Sequence, residues 1–263
     1  MSLNRRSHLA IDIHQHRAQL LQMIPQQGQL LVCFHQFCDL AELPERLHLP
    51  VPFLLSALPH NTTLHQYLTG IEHYRRDAIA AQLSASIPHQ QLQESPQFDY
   101  ANHCNGVEVI TANRQALQDF QQPFQQLSSP LTVLESRAQS LLRGACWLLP
   151  RCYSNSQPVT AEWTLVECTE QYFQLLFCQY GCLIQQQPVT AMDDLLQVRW
   201  RYFLLCGEPK VVSRTAAFLQ RRALPVIILQ PHFLTTNKQP ANLASDAIAA
   251  IGLVIRGFNR CHR

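Results

Sequence analysis

His14 and His16 stand two positions apart in a stretch that reads as a strand, so their rings share a face and could hold a metal ion. No third or fourth ligand accompanies them at a motif spacing. An exposed face of a first hairpin is the plainer reading. The ten cysteines include Cys33-x4-Cys38 and Cys178-x3-Cys182 but no Cys-x2-Cys, so no zinc knuckle is expected. Cys178 and Cys182 are expected as core thiols on neighbouring strands. His103 and Cys104 set a base beside a thiol, but adjacent residues of an extended chain point apart. No catalytic residue and no metal site are assigned on these grounds. Glycine is scarce, 8 in 263 residues. Loops that cradle phosphate need it, because backbone N–H groups must come close to the anion.

The length suits one large domain or two small ones. A net charge of +2 and the lack of any basic cluster beyond a few residues argue against a nucleic-acid surface, so no direct nucleic-acid partner is expected. Arg5 and Arg6 have the look of a secretory start, but the apolar stretch that follows is broken by Asp12 and His14. No run of about 18 apolar residues occurs, so no spanning helix is expected. A cytoplasmic protein with free, mostly buried thiols follows as the expectation.

Periodicity supplies the elements. Residues 8–13, 18–24 and 29–35 read as three short strands, with Leu9, Ile11 and Ile13 alternating. The apolar run 51–58 suits a strand buried on both faces. A helix is expected at 70–87, strands at 96–101 and 107–111, a helix from Asn113 to about Gln126 interrupted by Pro123, and a strand at 131–134. A helix from Glu135 to Leu149 follows, then a polar linker at 151–160. The opening pattern then recurs: strands at 161–168, 171–178 and 181–187, a short helix near 190–198, a strand at 201–206, a helix at 211–222 and a strand at 226–229.

The closing stretch Ser245–Gly257 is apolar all round, with Ile248, Ile251 and Ile255 on one face, and must be buried by protein on most sides. Ser245 and Asp246 suit its start and Gly257 its stop. Gly252 costs about 1 kcal/mol against alanine, which implies that another backbone comes close.

Two halves that each open with three hairpin-linked strands predict an α/β, two-lobed actin/Hsp70-like (ribonuclease H-like) fold in reduced form. The first lobe is expected at 1–150, with a small α/β insert at about 70–134, and the second at 151–263 with the closing helix at about 244–256.

Several segments, taken in order, resemble the PilM family of type IV pilus assembly proteins, in particular its divergent members associated with competence or DNA utilisation. They are Ala250-Ile251-Gly252-Leu253-Val254-Ile255-Arg256, Val133-Leu134-Glu135-Ser136-Arg137-Ala138 with Arg143-Gly144, Phe98-Asp99-Tyr100, and Phe203-Leu204-Leu205-Cys206-Gly207 followed by Gln230-Pro231-His232-Phe233. The resemblance implies an actin-like cytoplasmic protein held at the inner membrane through a partner, the PilN-type single-pass protein, whose N-terminal tail it would bind. Other pilus assembly components are implied as further partners.

It also implies where a nucleotide would have been held. The first phosphate turn is Asp12 to Arg17, which keeps the acid but lacks a glycine. The second is Glu167-Cys168-Thr169-Glu170-Gln171, with Glu in place of Asp. The adenosine-side turn keeps Gly207 but has Glu208 after it. Asp12, Glu167 and Gly207 are therefore expected as vestiges of a cofactor site. The chain is not expected to be an enzyme, no cofactor is expected, and the alternative is an actin-like switch with weak ATP and magnesium binding. For the partner groove the insert is the expected seat, with Ile71, Tyr74, Phe98, Tyr100, Phe120 and Phe124 as candidates, although most such residues must be core.

Overall fold

Strands β1 (Leu9–His14), β2 (Arg17–Gln26) and β3 (Gln29–Asp39) form an antiparallel meander, and β4 (Leu54–Leu58) and β8 (Leu131–Ser136) extend it as parallel strands on the far side of β1. The second half repeats the arrangement. There β9 (Glu162–Cys168), β10 (Phe173–Gln179) and β11 (Cys182–Val189) make the meander, and β12 (Phe203–Gly207) and β13 (Val226–Ile228) are the parallel additions. The computed structural model describes residues 7–14, 16–27, 29–47, 51–69, 76–86, 97–103, 106–152 and 162–261. The strand orders are β14-β3-β2-β1-β4-β8 and β11-β10-β9-β12-β13, the same order but for β14 (Leu234–Thr235). The repeat inferred from pattern is thus a repeat of topology.

Between the two sheets lie α4 (Arg137–Cys152) and α6 (Ile248–Cys261), and one apolar core takes side chains from both sheets and both helices. Strand period 2 decides what else faces this layer. In β1, Leu9, Ile11 and Ile13 turn to the outer core of the first sheet, while Ala10 turns inward, and Asp12 shares its face. In β9, Val166 and Cys168 turn outward, Trp163 and Leu165 inward, and Glu167 shares their face. The two acids therefore occupy equivalent places on facing sheets. The outer face of the first sheet is covered by α1 (Leu43–Arg46) and the 3-10 turn Gln122–Gln126, and that of the second by α5 (Pro209–Gln220).

The insert holds β5 (Thr63–Leu68), α2 (Arg76–Ser86), β6 (Gln97–His103) and β7 (Gly106–Ala112), in the sheet order β5-β7-β6. Its core is small: Leu68, Ile79, Leu83, Val107 and Val109, with Phe98 and Tyr100 against them. The expected insert at 70–134 is shifted, because β5 precedes it and β8 belongs to the main sheet. The helix expected at 113–126 is α3 (Arg114–Gln121), capped by the Asn113 carboxamide accepting from Gln115 N–H at 2.8 Å, and Pro123 converts the remainder to the 3-10 turn. The helix expected from Glu135 starts at Arg137, since Glu135 and Ser136 still pair with Ala57 and Leu58. The linker expected at 151–160 overlaps the end of α4, and its positions 153–160 lie outside the described residues.

The closing helix differs from expectation at its start and at its end. It opens with a 3-10 turn, Ser245–Ala247, and runs through Gly257 to Cys261, one turn beyond the expected stop. Ser245 does not cap it; its hydroxyl donates to the Gly207 carbonyl at 2.8 Å. Although it follows the second lobe in sequence, it packs on α4 and on β1, β2 and β4 of the first sheet. Gly252 does meet another backbone, that of Ser140 in α4. No helix among the described residues is long and apolar enough to cross a membrane.

Candidate functional site

Asp12 at the end of β1 and Glu167 at the end of β9 meet across the lobes, and a cation of the chain's own sits between them. Arg137, the first residue of α4, donates from Nε to Glu167 Oε1 at 2.8 Å, approaches the same oxygen with Nη2 at 2.6 Å, and donates from Nη1 to Asp12 Oδ1. The second oxygen of Glu167 is bonded to His60 Nε2 at 2.7 Å, from the turn after β4. All four side chains are buried. The resemblance implies a vestigial nucleotide site at these two acids; a guanidinium lies between them.

One guanidinium cannot neutralise two buried carboxylates equally. Burial pushes Glu167 upward, but Arg137 and His60 together outweigh it and hold the group well below the usual carboxylate range. Asp12 has Arg137 without a second donor, and for it burial wins and the pKa is raised. The sign for Glu167 follows from linkage. Its native pKa lies below the unfolded value, so its contribution to stability is complete above the ordinary value of 4.5 and is lost as the pH falls below that value. Asp12, raised, acts in the opposite sense over the acid range. The urea midpoint is therefore expected to fall on acidification below about pH 4.5, and Glu167→Gln should remove most of that slope. An unchanged slope in the variant would assign the acid sensitivity to other groups.

The turns around the clasp are poor seats for phosphate. Gly207 has φ +101°, and a Cβ there would lie 2.3 Å from the Cys168 carbonyl oxygen, so the glycine serves the β9–β12 backbone contact. Glu208 Oε1 accepts from the Glu170 N–H at 3.1 Å, which occupies that backbone donor of the second turn. The remaining cleft, about 550 Å³, is lined by Glu170, Glu208 and Asp246 as well as Arg17 and Lys210. Burial raises the pKa of Asp246. A polyphosphate would meet three further carboxyl groups there beyond the clasp.

The other candidate residues are dispersed. Ile71 and Tyr74 lie outside the described residues. Phe98 and Tyr100 sit under α2 in the insert core, with the Arg76 guanidinium 4.5 Å from the Phe98 ring centre. Phe124 is buried in the outer core of the first lobe, and Phe120 packs beside it with ring centres 5.6 Å apart. The four described candidates thus do not form one groove, although Phe120 also lines a cleft of about 830 Å³ beside His60 and Leu64. His14 and His16 do not share a strand face: His14 ends β1, and His16 lies in the turn before Arg17 opens β2. Among the described residues no group of three or more His, Cys, Asp or Glu side chains could hold a metal. Cys178 and Cys182 do lie on neighbouring strands, but only Cys178 is a core thiol; Cys182 is half-buried. Burial pushes the thiols of Cys33 and Cys146 to about 11 and that of Cys168 to about 12, which keeps them protonated and inert.

These features define an actin-like ATPase fold with a buried ion cluster between its two lobes. No family model matches the sequence, and no curated protein matches it. Among solved structures, the chain is similar to one from a PilM–PilN type IV pilus biogenesis complex, with a TM-score of 0.78, 10% identity, and coverage of 97% of this chain and 99% of that one. It is also similar to a Bacteroides thetaiotaomicron protein of actin-like ATPase fold and unknown function (TM-score 0.56, 10% identity, 94% and 96% covered). A third similar structure is the cytoplasmic domain of EpsL, an inner membrane component of the type II secretion system of Vibrio cholerae (TM-score 0.50, 11% identity, 96% and 94% covered).

Proposed function

We infer that the chain is a non-catalytic, cytoplasmic scaffold of a type IV pilus-like or DNA-uptake machine. It binds the N-terminal tail of a PilN-type single-pass inner-membrane protein, reaches the membrane through that partner, and connects it to other assembly components. One observation carries the loss of catalysis: Arg137 bridges Asp12 and Glu167 where an actin-like ATPase needs metal and phosphate. The shared fold with a chain of the PilM–PilN complex supports the choice of partner. No cofactor is proposed for this role, since Arg137 supplies a cation between Asp12 and Glu167.

The test is titration of the protein with a synthetic N-terminal tail of a PilN-type protein, with a scrambled tail as control. Saturable binding in the micromolar range is expected. Absence of binding at high micromolar concentration would overturn the partner. In parallel, Mg-ATP is expected to leave the melting temperature unchanged. A saturable upward shift that Asp12→Ala removes would instead establish the chain as a nucleotide-binding switch.

A further inference from the structure

Helix α5 carries its charge in a way that helix stability does not explain. From Pro209 to Ser245 the chain has five Lys or Arg residues and no Asp or Glu. Four of the five lie in or just after α5, which covers the outer face of the second sheet. The helix buries Val211, Val212, Thr215, Ala216 and Leu219. At 3.6 residues per turn, Lys210, Arg214 and Arg221 fall in one line on the opposite side, over about 16 Å of helix axis. All three are exposed. Their spacing is helical, so no run of cations marks the face in the sequence.

Local forces oppose this arrangement. Lys210 is the second residue of the helix, where the dipole favours an acid, and the first turn holds none. Lys210 and Arg214 are an i, i+4 pair of like charge, which works against the helix. Only Arg221, at the C-terminal end, is accounted for by the dipole. Acids nearby in sequence do not neutralise the line. Glu208 accepts from the Glu170 N–H, and Asp193 meets Arg222 at 3.8 Å in an exposed pair of little worth. Arg222 extends the face, its guanidinium 3.7 Å from the Phe218 ring centre. The side chains between the cations, Ser213 and Ala217, are small, so the face is even and offers little for the recognition of particular side chains. An even, acid-free line of cations complements a surface of spread phosphate charge.

We propose that the outer face of α5 is a docking surface for an anionic lipid bilayer, with Lys210, Arg214, Arg221 and Arg222 against the lipid phosphates. The contact is electrostatic and inserts no apolar side chain. It goes beyond the function inferred above, in which the chain reaches the membrane through its partner: here the second lobe meets lipid directly and is oriented by it. Such a contact is weak alone and gains weight once a tail holds the chain near the bilayer. Lys210 also borders the cleft that holds Glu170 and Glu208, so Arg214 and Arg221 are the charges to remove.

The probe is co-sedimentation of the full chain with vesicles of phosphatidylglycerol and phosphatidylethanolamine at low and at physiological salt, with phosphatidylcholine vesicles as control. Binding to the anionic vesicles that weakens with salt is expected, and none to the neutral ones. Arg214→Gln combined with Arg221→Gln is expected to weaken binding about 25-fold, from about fivefold per charge. Arg46→Gln combined with Arg114→Gln, exposed cations of the first lobe, makes the same change in net charge and should leave binding as it was. Thermal melting of both double variants checks that the fold is kept. The proposal is overturned if anionic vesicles are not bound at low salt, if neutral vesicles are bound as well, or if the two double variants weaken binding alike. Duplex DNA bound by the parent and lost in the α5 variant, without vesicle binding, would assign the face to nucleic acid and overturn the proposal too. The vesicle assay contains no partner tail, so this proposal and the choice of partner can fail independently.

Discussion

Arg137→Ala is expected to lower the free energy of unfolding by about 3–5 kcal/mol, the range for removing one partner of a buried ion pair. The loss would come less from the missing attraction than from what remains: Asp12 and Glu167, both buried, facing each other with no cation between them. Urea unfolding at pH 7 checks the size of the effect, and its pH dependence checks the cause. In the variant both carboxyl groups gain stability by taking up protons, so the deficit should shrink as the pH is lowered toward about 5. Arg137→Lys should fall between the two, since an ammonium keeps the charge but cannot span both acids in one plane. A deficit below about 1 kcal/mol, the scale of a solvated pair, would show that water reaches the cluster and that Arg137 does not hold the lobes.

Gly252→Leu is expected to cost at or above the ~1–3 kcal/mol usual for overpacking, and to leave any response to nucleotide as it was. A Cβ at Gly252 would lie 1.9 Å from the Ser140 carbonyl oxygen and 3.1 Å from the Gly144 nitrogen, while one at Gly144 would lie 2.3 Å from the Ile248 carbonyl oxygen. These contacts are backbone atoms, which cannot rotate aside as a side chain can. Nor can the helices separate easily, since α4 and α6 are packed between the two sheets. Thermal melting with and without Mg-ATP measures both halves of the expectation. A variant that melts like the parent would mean that the helices can part at this crossing.

Much of the fold was legible because it rests on local pattern. Alternation in residues 8–13 and again after 161 marks the two meanders, and the apolar run at 51–58 marks a strand with both faces covered. The all-round apolar closing helix with Gly252 was readable for the same reason, and its close neighbour is indeed a backbone. The helix end was misread because Gly257 offers a stop that burial against the first lobe overrides.

The site was legible only in part. Asp12, Glu167 and Gly207 could be placed by a resemblance, but the residue that fills the space between the acids could not, because the cluster joins positions far apart in the chain. One local signal existed. Arg137 opens a helix, where a cation opposes the helix dipole, and such a residue needs an acid from elsewhere. His60 carried no signal at all, being one of 12 histidines. The described aromatic candidates are dispersed for a different reason: apolar periodicity marks packing, and Phe98 and Phe124 pack in separate cores.

The short strand β14 sets the order in which the protein can be made. It pairs Leu234 and Thr235 with Leu31 and Val32, a contact spanning about two hundred positions of chain. Until residues 234–261 have left the ribosome, the first sheet lacks both this edge partner and the α6 cover on its inner face. The opening meander is therefore synthesised early but completed late, with Ala10, Leu21, Met23 and Val32 uncovered by α6 in the interval. Such a nascent lobe keeps apolar surface open while the second half is made, an interval in which association competes with folding.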